Sequence, residues 1–233
     1  MSALNDPEAV RREYADESRF AVRAGAWARS EGPSAVEMSR AAVAEVAPQR
    51  VLEVGCGRGE AAEWIARETG AEVVAVDQSE RMVELTRARG VDARIGDVQE
   101  LPFEDGSFDV VLAAWMLYHV ADLDRGLSEV ARVLRRGGRL VAVTNSRQHV
   151  KELKELMGST STFAFDAENG AETLGRHFSS VERRDAFGFA TFEPNEAIAY
   201  IEASSWLRRN RPLPTLTEPI RVTKAPVVFV ATK

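Results

Sequence analysis

Residues 51–62 read Val51-Leu-Glu-Val-Gly-Cys-Gly-Arg-Gly-Glu-Ala-Ala62 and predict a short apolar strand, a glycine-rich turn and the start of a helix. Glycine has no Cβ, so it adopts left-handed dihedral angles and lets a ligand approach the backbone closely. A helix that begins near Arg58 adds exposed N–H groups and the positive end of its dipole. The segment therefore predicts a cofactor site, although such a turn alone does not choose among nucleotide-like cofactors.

The spacing of the glycines distinguishes two kinds of cofactor site. A dinucleotide fingerprint has the pattern G-x-G-x-x-G, whereas Gly55, Gly57 and Gly59 follow G-x-G-x-G. Glu60 stands where the third glycine of a dinucleotide site would be. Glu53, inside the strand, would repel a pyrophosphate but can bind the backbone or a cationic ligand group. We therefore predict that Glu53 and the three glycines bind a cofactor other than a dinucleotide.

A second acidic residue follows the next predicted strand. Residues 72–76 are apolar and β-branched enough for a buried parallel strand, and Asp77 comes directly after them. A carboxylate there, roughly 20 residues beyond the glycine turn, can bind both hydroxyls of a ribose. Capping of the next helix is the alternative role, but Ser79 is a good cap as well. Met82, one turn into that helix, either contacts an adenine ring or packs in the core. Gln78, next to Asp77, is also a predicted cofactor-binding residue.

A third strand end extends the predicted site. Residues 91–95 predict a strand, and Gly96, Asp97 and Val98 follow it. Asp97 can accept a hydrogen bond from an exocyclic amine such as adenine N6, while the Val98 N–H meets a ring nitrogen. The alternative for Asp97 is a turn-capping role. We predict that this segment binds the base of the cofactor.

A fourth strand end completes the series. Residues 109–112 predict another buried strand, after which Ala113 and Ala114 are small enough for part of a ligand to lie alongside. Open α/β sheets bind ligands at the carboxyl ends of their parallel strands. All the candidate cofactor residues are therefore expected at one edge of one sheet.

These motifs resemble the class I S-adenosylmethionine-dependent methyltransferases, and look most like the branch with ubiquinone/menaquinone-pathway and small-molecule methyltransferases. The resemblance covers about residues 45–145 and rests on Glu53-Val-Gly55-Cys-Gly57-Arg-Gly59, Asp77-Gln78-Ser79, Gly96-Asp97-Val98-Gln-Glu-Leu101-Pro102-Phe103, Ser107-Phe-Asp109-Val-Val-Leu112, Tyr118-His119-Val120 and residues 129–141. It identifies the cofactor far better than the methyl acceptor.

The resemblance implies an α/β fold: a seven-stranded, mostly parallel Rossmann-like sheet with helices on both faces and an N-terminal helical cap. It implies S-adenosyl-L-methionine as the cofactor. It also implies that Tyr14 reaches over the cofactor from the cap, although an ordinary packing role for Tyr14 stays open.

Residues 1–233 are predicted to form a single methyltransferase domain. Residues 1–46 are a helical cap, residues 47–145 the cofactor-binding core, and residues 146–233 the acceptor-side elements and closing strands. The predicted cap and core helices span about residues 7–14, 34–46 and 122–136, the last ending at Gly137-Gly138 before a fifth strand, 139–143. Further on, we predict helices at 148–157, 170–177 and 194–207 and strands at 181–189 and 226–231.

Composition limits the functional class. The chain is 45% hydrophobic and 28% charged, which suits a globular protein with a full core. A net charge of −6 provides no global basic footprint, which disfavours a nucleic-acid partner. The three histidines follow no metal-binding pattern, and the single cysteine, Cys56, excludes a disulfide within the chain. We predict no bound metal, and Cys56 is expected to contact the cofactor through its backbone.

The sequence shows no secretory signal and no apolar run long enough to cross a membrane. We therefore expect a cytoplasmic protein without membrane association. The oligomeric state is left open.

Methyl transfer requires mainly that the acceptor is held in line with the donor methyl group. A general base contributes only if the acceptor must lose a proton. His119, just after the fourth strand, is the candidate catalytic base, and its alternative role is to shape the start of a helix. Trp27, Trp115 and Tyr118 are the candidate substrate-binding residues, because a subset of the aromatic side chains can line an apolar pocket.

We predict transfer of a methyl group from S-adenosylmethionine to an oxygen, nitrogen or carbon atom of a small molecule. The alternatives are an RNA or protein methyltransferase, and a non-catalytic protein that binds S-adenosylmethionine. An NAD(P)-dependent oxidoreductase is a more distant alternative, because Glu60 and Asp97 fit a dinucleotide site poorly.

Overall fold

A computed structural model describes residues 17–208 and 211–233. Its strands are β1 (Arg50–Val54), β2 (Glu72–Asp77), β3 (Asp92–Ile95), β4 (Phe108–Ala114), β5 (Leu134–Asn145), β6 (Ser180–Asp185), β7 (Gly188–Phe192), β8 (Ile220–Lys224) and β9 (Pro226–Thr232). Its helices are α1 (Glu17–Gly25), α2 (Ala35–Ala44), α3 (Glu60–Thr69), α4 (Glu80–Ala88), α5 (Leu123–Val133), α6 (Lys151–Met157), α7 (Gly170–Gly175), α8 (Pro194–Ala203) and α9 (Ser205–Arg208).

Seven strands form one sheet in the order β3-β2-β1-β4-β5-β9-β6. The first five strands run parallel to one another, and β9 runs antiparallel to both of its neighbours, β5 and β6. The central register places Leu52 of β1 beside Val74 of β2 and Val111 of β4. The predicted α/β class, with a seven-stranded and mostly parallel sheet, is confirmed.

Most residues of the central strands are apolar, because helices cover both faces of the sheet. Leu52 and Val54 of β1 point to the face that also buries Leu127 of α5. Val51, which alternates with them, points to the opposite face and packs with Ile65 of α3. Burial of each such aliphatic side chain stabilises the fold by about 1.5–3 kcal/mol. The glycine turn therefore follows a strand that is packed against helices on both of its faces.

A second, two-stranded sheet pairs β7 with β8. Together with α1, α6, α8 and α9 it encloses a separate apolar cluster, and we call this group of elements the accessory unit. The members of the cluster include Val150, Leu153, Phe192, Tyr200, Ile201, Leu207 and Val222. Arg23 of α1 donates a hydrogen bond to the carbonyl of Ala203 in α8, so the start of the described chain is joined to the C-terminal half.

The boundary between α5 and β5 differs from the prediction. The helix ends at Val133, and β5 begins at Leu134 rather than after Gly137 and Gly138. Leu134 pairs with Phe108, and the register then shifts before the regular part of the strand. Gly137, at φ 74°, donates its N–H to the carbonyl of Lys233 at 3.1 Å. The two glycines thus form an irregular start of the strand and do not end the helix.

Four predicted C-terminal elements are divided or shortened. The predicted helix 170–177 ends at Gly175, as α7. The predicted strand 181–189 ends at Asp185, and β7 begins at Gly188 in the other sheet. The predicted helix 194–207 is interrupted at Ser204, and α6 begins only at Lys151, after Val150 at φ 51°.

Two elements were not predicted from the sequence, namely α1 and β8. Of the two predicted cap helices, the one at 34–46 is present as α2, and the one at 7–14 lies outside the described residues. Residues of α2 pack on the main sheet, whereas α1 packs on α8 within the accessory unit.

Candidate functional site

The glycine turn joins β1 to α3, and its glycines have φ angles of 66° (Gly55), 52° (Gly57) and 74° (Gly59). A Cβ at Gly55 would lie 2.7 Å from the Cβ of Met116, and one at Gly59 would lie 2.7 Å from the Thr86 side chain. A Cβ at Gly57 would meet no atom of the described residues within 4 Å. Packing therefore requires two of the glycines, while the backbone at Gly57 faces open space in which a ligand can contact it.

Asp77 ends β2 and lies against the glycine turn. Its Oδ1 accepts a hydrogen bond from the Ser79 N–H, and its Oδ2 accepts one from the Gly57 N–H, each at 2.9 Å. Burial raises the pKa of Asp77, and the backbone N–H groups of Ser79, Gly57 and Gln78 oppose the rise. Each carboxylate oxygen keeps acceptor capacity. Asp77 can therefore hold the turn and accept hydrogen bonds from hydroxyl groups of a ligand at the same time.

Glu53 is a buried acid within β1 and is 4% exposed. Its Oε2 has no hydrogen-bond partner in the described part of the chain. Burial raises the pKa of Glu53 to about 8, the charge of Asp77 adds to the rise, and the Ala62 N–H and the charge of Arg40 oppose it. A buried polar atom without a partner costs about 1–3 kcal/mol. A cationic group of a ligand beside this carboxyl would offset that cost.

Glu53→Gln is expected to remove a pH dependence of stability. The raised pKa means that folded Glu53 keeps its proton up to about pH 8, while the unfolded chain loses it near 4.5. The free energy of unfolding of the wild type therefore falls across that window, and the neutral amide does not share this fall. Urea unfolding at pH 5 and pH 8 measures the difference. The control is Glu60→Gln, at an exposed position; equal pH slopes in wild type and Glu53→Gln would contradict the assignment.

Cys56 contributes its backbone to the turn, but its thiol is inert. Burial raises the pKa of Cys56 to about 12, so the thiolate that a nucleophile requires is absent near neutral pH. The Cys56 Sγ lies 3.5 Å from Thr86 Oγ1, and that hydroxyl donates to the Gly57 carbonyl at 3.0 Å. In α4, Met82 is buried, whereas Gln78 just before the helix is exposed.

The segment after β3 lies beside the end of β2, since the Gly96 N–H donates to the Asp77 carbonyl at 3.0 Å. The carboxylate of Asp97 accepts hydrogen bonds from the Gln99 backbone N–H at 2.9 Å and from the Gln99 side-chain amide at 2.9 and 3.0 Å. Val98 is buried. The turn-capping role of Asp97 is therefore present in the structure, and an adenine amine would share the same oxygens.

The end of β4 places a bulky ring at the same edge of the sheet. Ala113 is fully buried in the core and Ala114 is half-buried. Trp115 follows with φ 54°, an unfavourable angle for a bulky residue. Its N–H donates to the Val143 carbonyl at 2.8 Å, and its Nε1 donates to Asn145 Oδ1 at 3.2 Å. These bonds hold the indole in a defined position.

His119 and Tyr118 lie on a short 3-10 helix just beyond, and the His119 N–H donates to the Met116 carbonyl at 2.9 Å. The Tyr118 ring centroid is 4.5 Å from that of His119 and 5.2 Å from that of Phe163. The Phe163 centroid is 5.5 Å from that of Trp206. We call His119, Tyr118, Phe163 and Trp206 the aromatic row; it connects the end of β4 to α9.

Trp27 lies in another set of ring contacts, within the accessory unit. Its ring centroid is 4.8 Å from His149, 5.3 Å from Phe192 and 5.9 Å from Tyr200. Phe192 and Tyr200 are buried members of the accessory cluster. The structure therefore gives Trp27 a packing role, and its predicted substrate contact stays a prediction. Tyr14 lies outside the described residues.

A cavity of about 170 Å³ lies elsewhere, beside the far strands of the sheet. Its lining includes Ser146, Phe187, and the ion-paired Arg183 and Asp185, whose closest atoms are 2.7 Å apart. These residues belong to β6 and to the segments that follow β5 and β6, whereas the glycine turn follows β1. We assign the cofactor residues from their convergence at the strand ends and not from this cavity.

Sequence reasoning missed several residues that complete the site. Met116 and Thr86 fill the space beside Gly55 and Gly59, and Asn145 fixes the indole of Trp115. None of the three belongs to a recognisable motif. Each of the three acts through a contact between segments that are distant in sequence, and a linear pattern does not show such contacts.

The described residues include no group of three or more His, Cys, Asp or Glu side chains arranged to hold a metal ion. Within residues 17–208 and 211–233, every helix is too short or too polar to span a bilayer.

Comparisons with known proteins show the family to which the chain belongs. A family model described as a methyltransferase domain matches residues 52–142. An uncharacterized methyltransferase of Mycobacterium tuberculosis is 34% identical over 196 residues, which cover 80% of this chain and 76% of that protein. A ubiquinone biosynthesis O-methyltransferase of Xanthomonas oryzae is 34% identical over 162 residues, covering 63% of this chain and 67% of that protein. Matches to two further relatives span only 37% and 42% of their lengths.

Among solved structures, a SAM-dependent methyltransferase of Thermotoga maritima is similar with a TM-score of 0.57 and 24% sequence identity. The similarity covers 93% of this chain and 94% of that chain, and it shows the shared fold. The chain belongs to the class I S-adenosylmethionine-dependent methyltransferases.

Proposed function

We propose that this enzyme transfers a methyl group from S-adenosylmethionine to an oxygen, nitrogen or carbon atom of a small molecule. The observation that carries the proposal is the convergence of three features at the ends of β1 and β2. These are the open backbone at Gly57, the turn-bound carboxylate of Asp77 and the unpartnered Oε2 of Glu53. Together they match a ligand that has hydroxyl groups and a positive charge.

The residues present fit S-adenosylmethionine. Asp77 would accept hydrogen bonds from the ribose hydroxyls, and Glu53 would accept one from the α-ammonium group of the amino-acid part, whose positive charge favours the ionised form of this carboxyl. Met82 would pack on the adenine, whose amine Asp97 would bind with the Val98 N–H beside it. The remaining cofactor positions, Gly55, Cys56, Gly59, Gln78, Gly96, Ala113 and Ala114, shape the groove.

When bound, S-adenosylmethionine supplies an electrophilic methyl group on a positively charged sulfur. The chain then has to exclude water and hold the acceptor in line, which can provide most of the rate acceleration. Trp115, fixed by Asn145, and Tyr118 would form walls beside the methyl group. His119 would take a proton from an acceptor that must lose one.

A small-molecule acceptor is supported by the aromatic row, which provides flat apolar surface next to His119. It is also supported by the O-methyltransferase of ubiquinone biosynthesis, which is similar over two thirds of its length. The net charge of −6 disfavours RNA, because phosphate backbones are bound mainly by positive charge.

The direct test combines binding and turnover. Calorimetry is expected to detect binding of both S-adenosylmethionine and S-adenosylhomocysteine, and a panel of phenols, amines and quinols is expected to contain an acceptor that yields S-adenosylhomocysteine. Absence of cofactor binding would refute the proposal. Binding without turnover on any acceptor would favour a non-catalytic binding protein, and salt-sensitive tRNA binding would favour an RNA methyltransferase.

His119→Gln is expected to lower kcat about 10²–10⁴-fold with an acceptor that must lose a proton, because the general base is lost. The dissociation constant of S-adenosylhomocysteine is expected to stay unchanged. His177→Gln is the matched control, since His177 pairs with Asp124 at 3.1 Å on α5. An unchanged kcat in His119→Gln would leave His119 with only its helix-start role.

A further inference from the structure

Two lysines of the accessory unit are buried, which is rare for this residue type. Lys154 of α6 is 8% exposed and Lys224 at the end of β8 is 6% exposed. Burial lowers the pKa of each. Burial, together with the positive charges of Lys154 and Lys224, lowers the pKa of His149 to about 3. Two cations therefore lie close to one neutral, buried imidazole.

Lys224 is fully occupied by neutral acceptors. Its Nζ donates to Ser30 Oγ at 3.0 Å, to the Pro33 carbonyl at 3.1 Å and to the Gly32 carbonyl at 3.5 Å. These three bonds use its three N–H groups and fix the segment between α1 and α2. Lys224 therefore has a structural role, but its positive charge is not neutralised by the partners it binds.

Lys154 has N–H donors that make no hydrogen bond within the described part of the molecule. In the described part of the molecule its Nζ donates one hydrogen bond, to the Arg147 carbonyl at 2.8 Å. The two carboxylates whose charges raise the pKa of Lys154, Glu168 and Asp166, already have hydrogen-bond partners of their own. Asp166 Oδ2 binds Arg147 Nε at 2.7 Å, and Glu168 Oε1 binds Ser146 Oγ at 2.6 Å. Two N–H groups of a buried ammonium thus remain for another acceptor.

Lys154 also adjoins the aromatic row. Its Nζ lies 5.7 Å from the ring centroid of Trp206, within the range of a cation–π contact. From Trp206 the row continues through Phe163 and Tyr118 to His119. A molecule lying along this row with its reactive atom near His119 would extend toward the ammonium.

We infer that the methyl acceptor carries an acidic group, a carboxylate or a phosphate, and that Lys154 binds this group at the end of the aromatic row. The inference rests on the proposed function, because it assigns the row to the acceptor. The buried charge of Lys224 adds to the positive potential around the anion. An anion at this place provides the acceptors that the free N–H groups of Lys154 lack.

The test uses matched small probes with the full-length protein. 4-Hydroxybenzoate and phenyl phosphate are the acidic probes, and 4-hydroxybenzamide is the neutral one. Calorimetry measures their affinities with and without saturating S-adenosylhomocysteine. At least one acidic probe is expected to bind about tenfold or more tightly than the amide, a ratio equivalent to about 1.4 kcal/mol. Preferential binding of 4-hydroxybenzoate would indicate a carboxylate site, and preferential binding of phenyl phosphate would indicate a phosphate site.

Lys154→Met is expected to bring this ratio close to one without changing the affinity for S-adenosylhomocysteine. A purely structural role would instead weaken the acidic and neutral probes equally. Lys151→Met, an exposed lysine on the same helix, is the matched control and should keep the wild-type ratio. The inference is overturned if the wild type does not prefer either acid, or if Lys154→Met retains the preference. Failure of S-adenosylhomocysteine to bind would instead refute the proposed function.

Discussion

Replacing Asp77 with alanine is expected to weaken the binding of S-adenosylhomocysteine about ten- to hundredfold, since a hydrogen bond to a charged group contributes about 1.5–3 kcal/mol. The carboxylate is held in place by the N–H groups of Gly57 and Ser79, so it is ready for the ribose hydroxyls before the ligand arrives. Its removal also leaves the Gly57 N–H without an acceptor, which loosens the turn. Isothermal titration calorimetry at a temperature where both proteins are folded measures the change.

Two further variants show whether the effect belongs to this carboxylate. Asp77→Asn keeps one oxygen acceptor, so its affinity is expected to lie between those of wild type and alanine. Asp92→Ala removes an exposed aspartate of β3 that pairs with Arg94 at 2.6 Å, and it should bind with wild-type affinity. Wild-type affinity in Asp77→Ala would exclude Asp77 from the cofactor site.

Gly59→Ala is expected to lower the free energy of unfolding by about 2–5 kcal/mol. About 1–2 kcal/mol comes from placing a Cβ at a left-handed φ of 74°. About 1–3 kcal/mol more comes from overpacking against Thr86, whose atoms lie 2.7 Å from the new Cβ. Thr86 cannot easily move, because it is fully buried and its hydroxyl donates to the Gly57 carbonyl. Urea unfolding followed by tryptophan fluorescence measures the loss.

Gly70→Ala separates these two contributions. Gly70 has a similar φ, 69°, but a Cβ there would meet no described atom within 4 Å. Gly70→Ala is therefore expected to lower the free energy of unfolding only by the cost of a Cβ at a left-handed φ, about 1–2 kcal/mol. Equal losses in the two variants would mean that the contact with Thr86 relaxes freely, and that Gly59 is required only for its backbone angle.

The sheet could be predicted from the sequence because its signals are local. The stretch before Gly55 and the run before Asp77 are mostly apolar and β-branched, as strands buried on both faces are. The C-terminal half was harder to predict. The strand expected at 181–189 is divided between two sheets, and β8 was missed, because pairing partners distant in the chain decide both outcomes.

The candidate site shows the same division. Glu53, Gly57 and Asp77 are predictable because their spacing follows from the order of strand, turn and helix. The sequence does not show that Oε2 of Glu53 lacks a partner or that the pKa of Glu53 is about 8, because both depend on how deeply packing buries this side chain. The packing of Trp27 could not be predicted from the sequence either, because its ring partners, His149, Phe192 and Tyr200, all lie more than a hundred positions further along the chain.

The sequence by itself determined the class of fold, the glycine turn and the acidic residues Glu53 of β1 and Asp77 at the end of β2, since each depends on neighbours within a few residues. Only the tertiary structure decided which glycine faces open space, that Oε2 of Glu53 has no hydrogen-bond partner among the described residues, and which lysine lies next to the aromatic row. Those properties depend on burial and on contacts between distant segments, which exist only once the chain is folded.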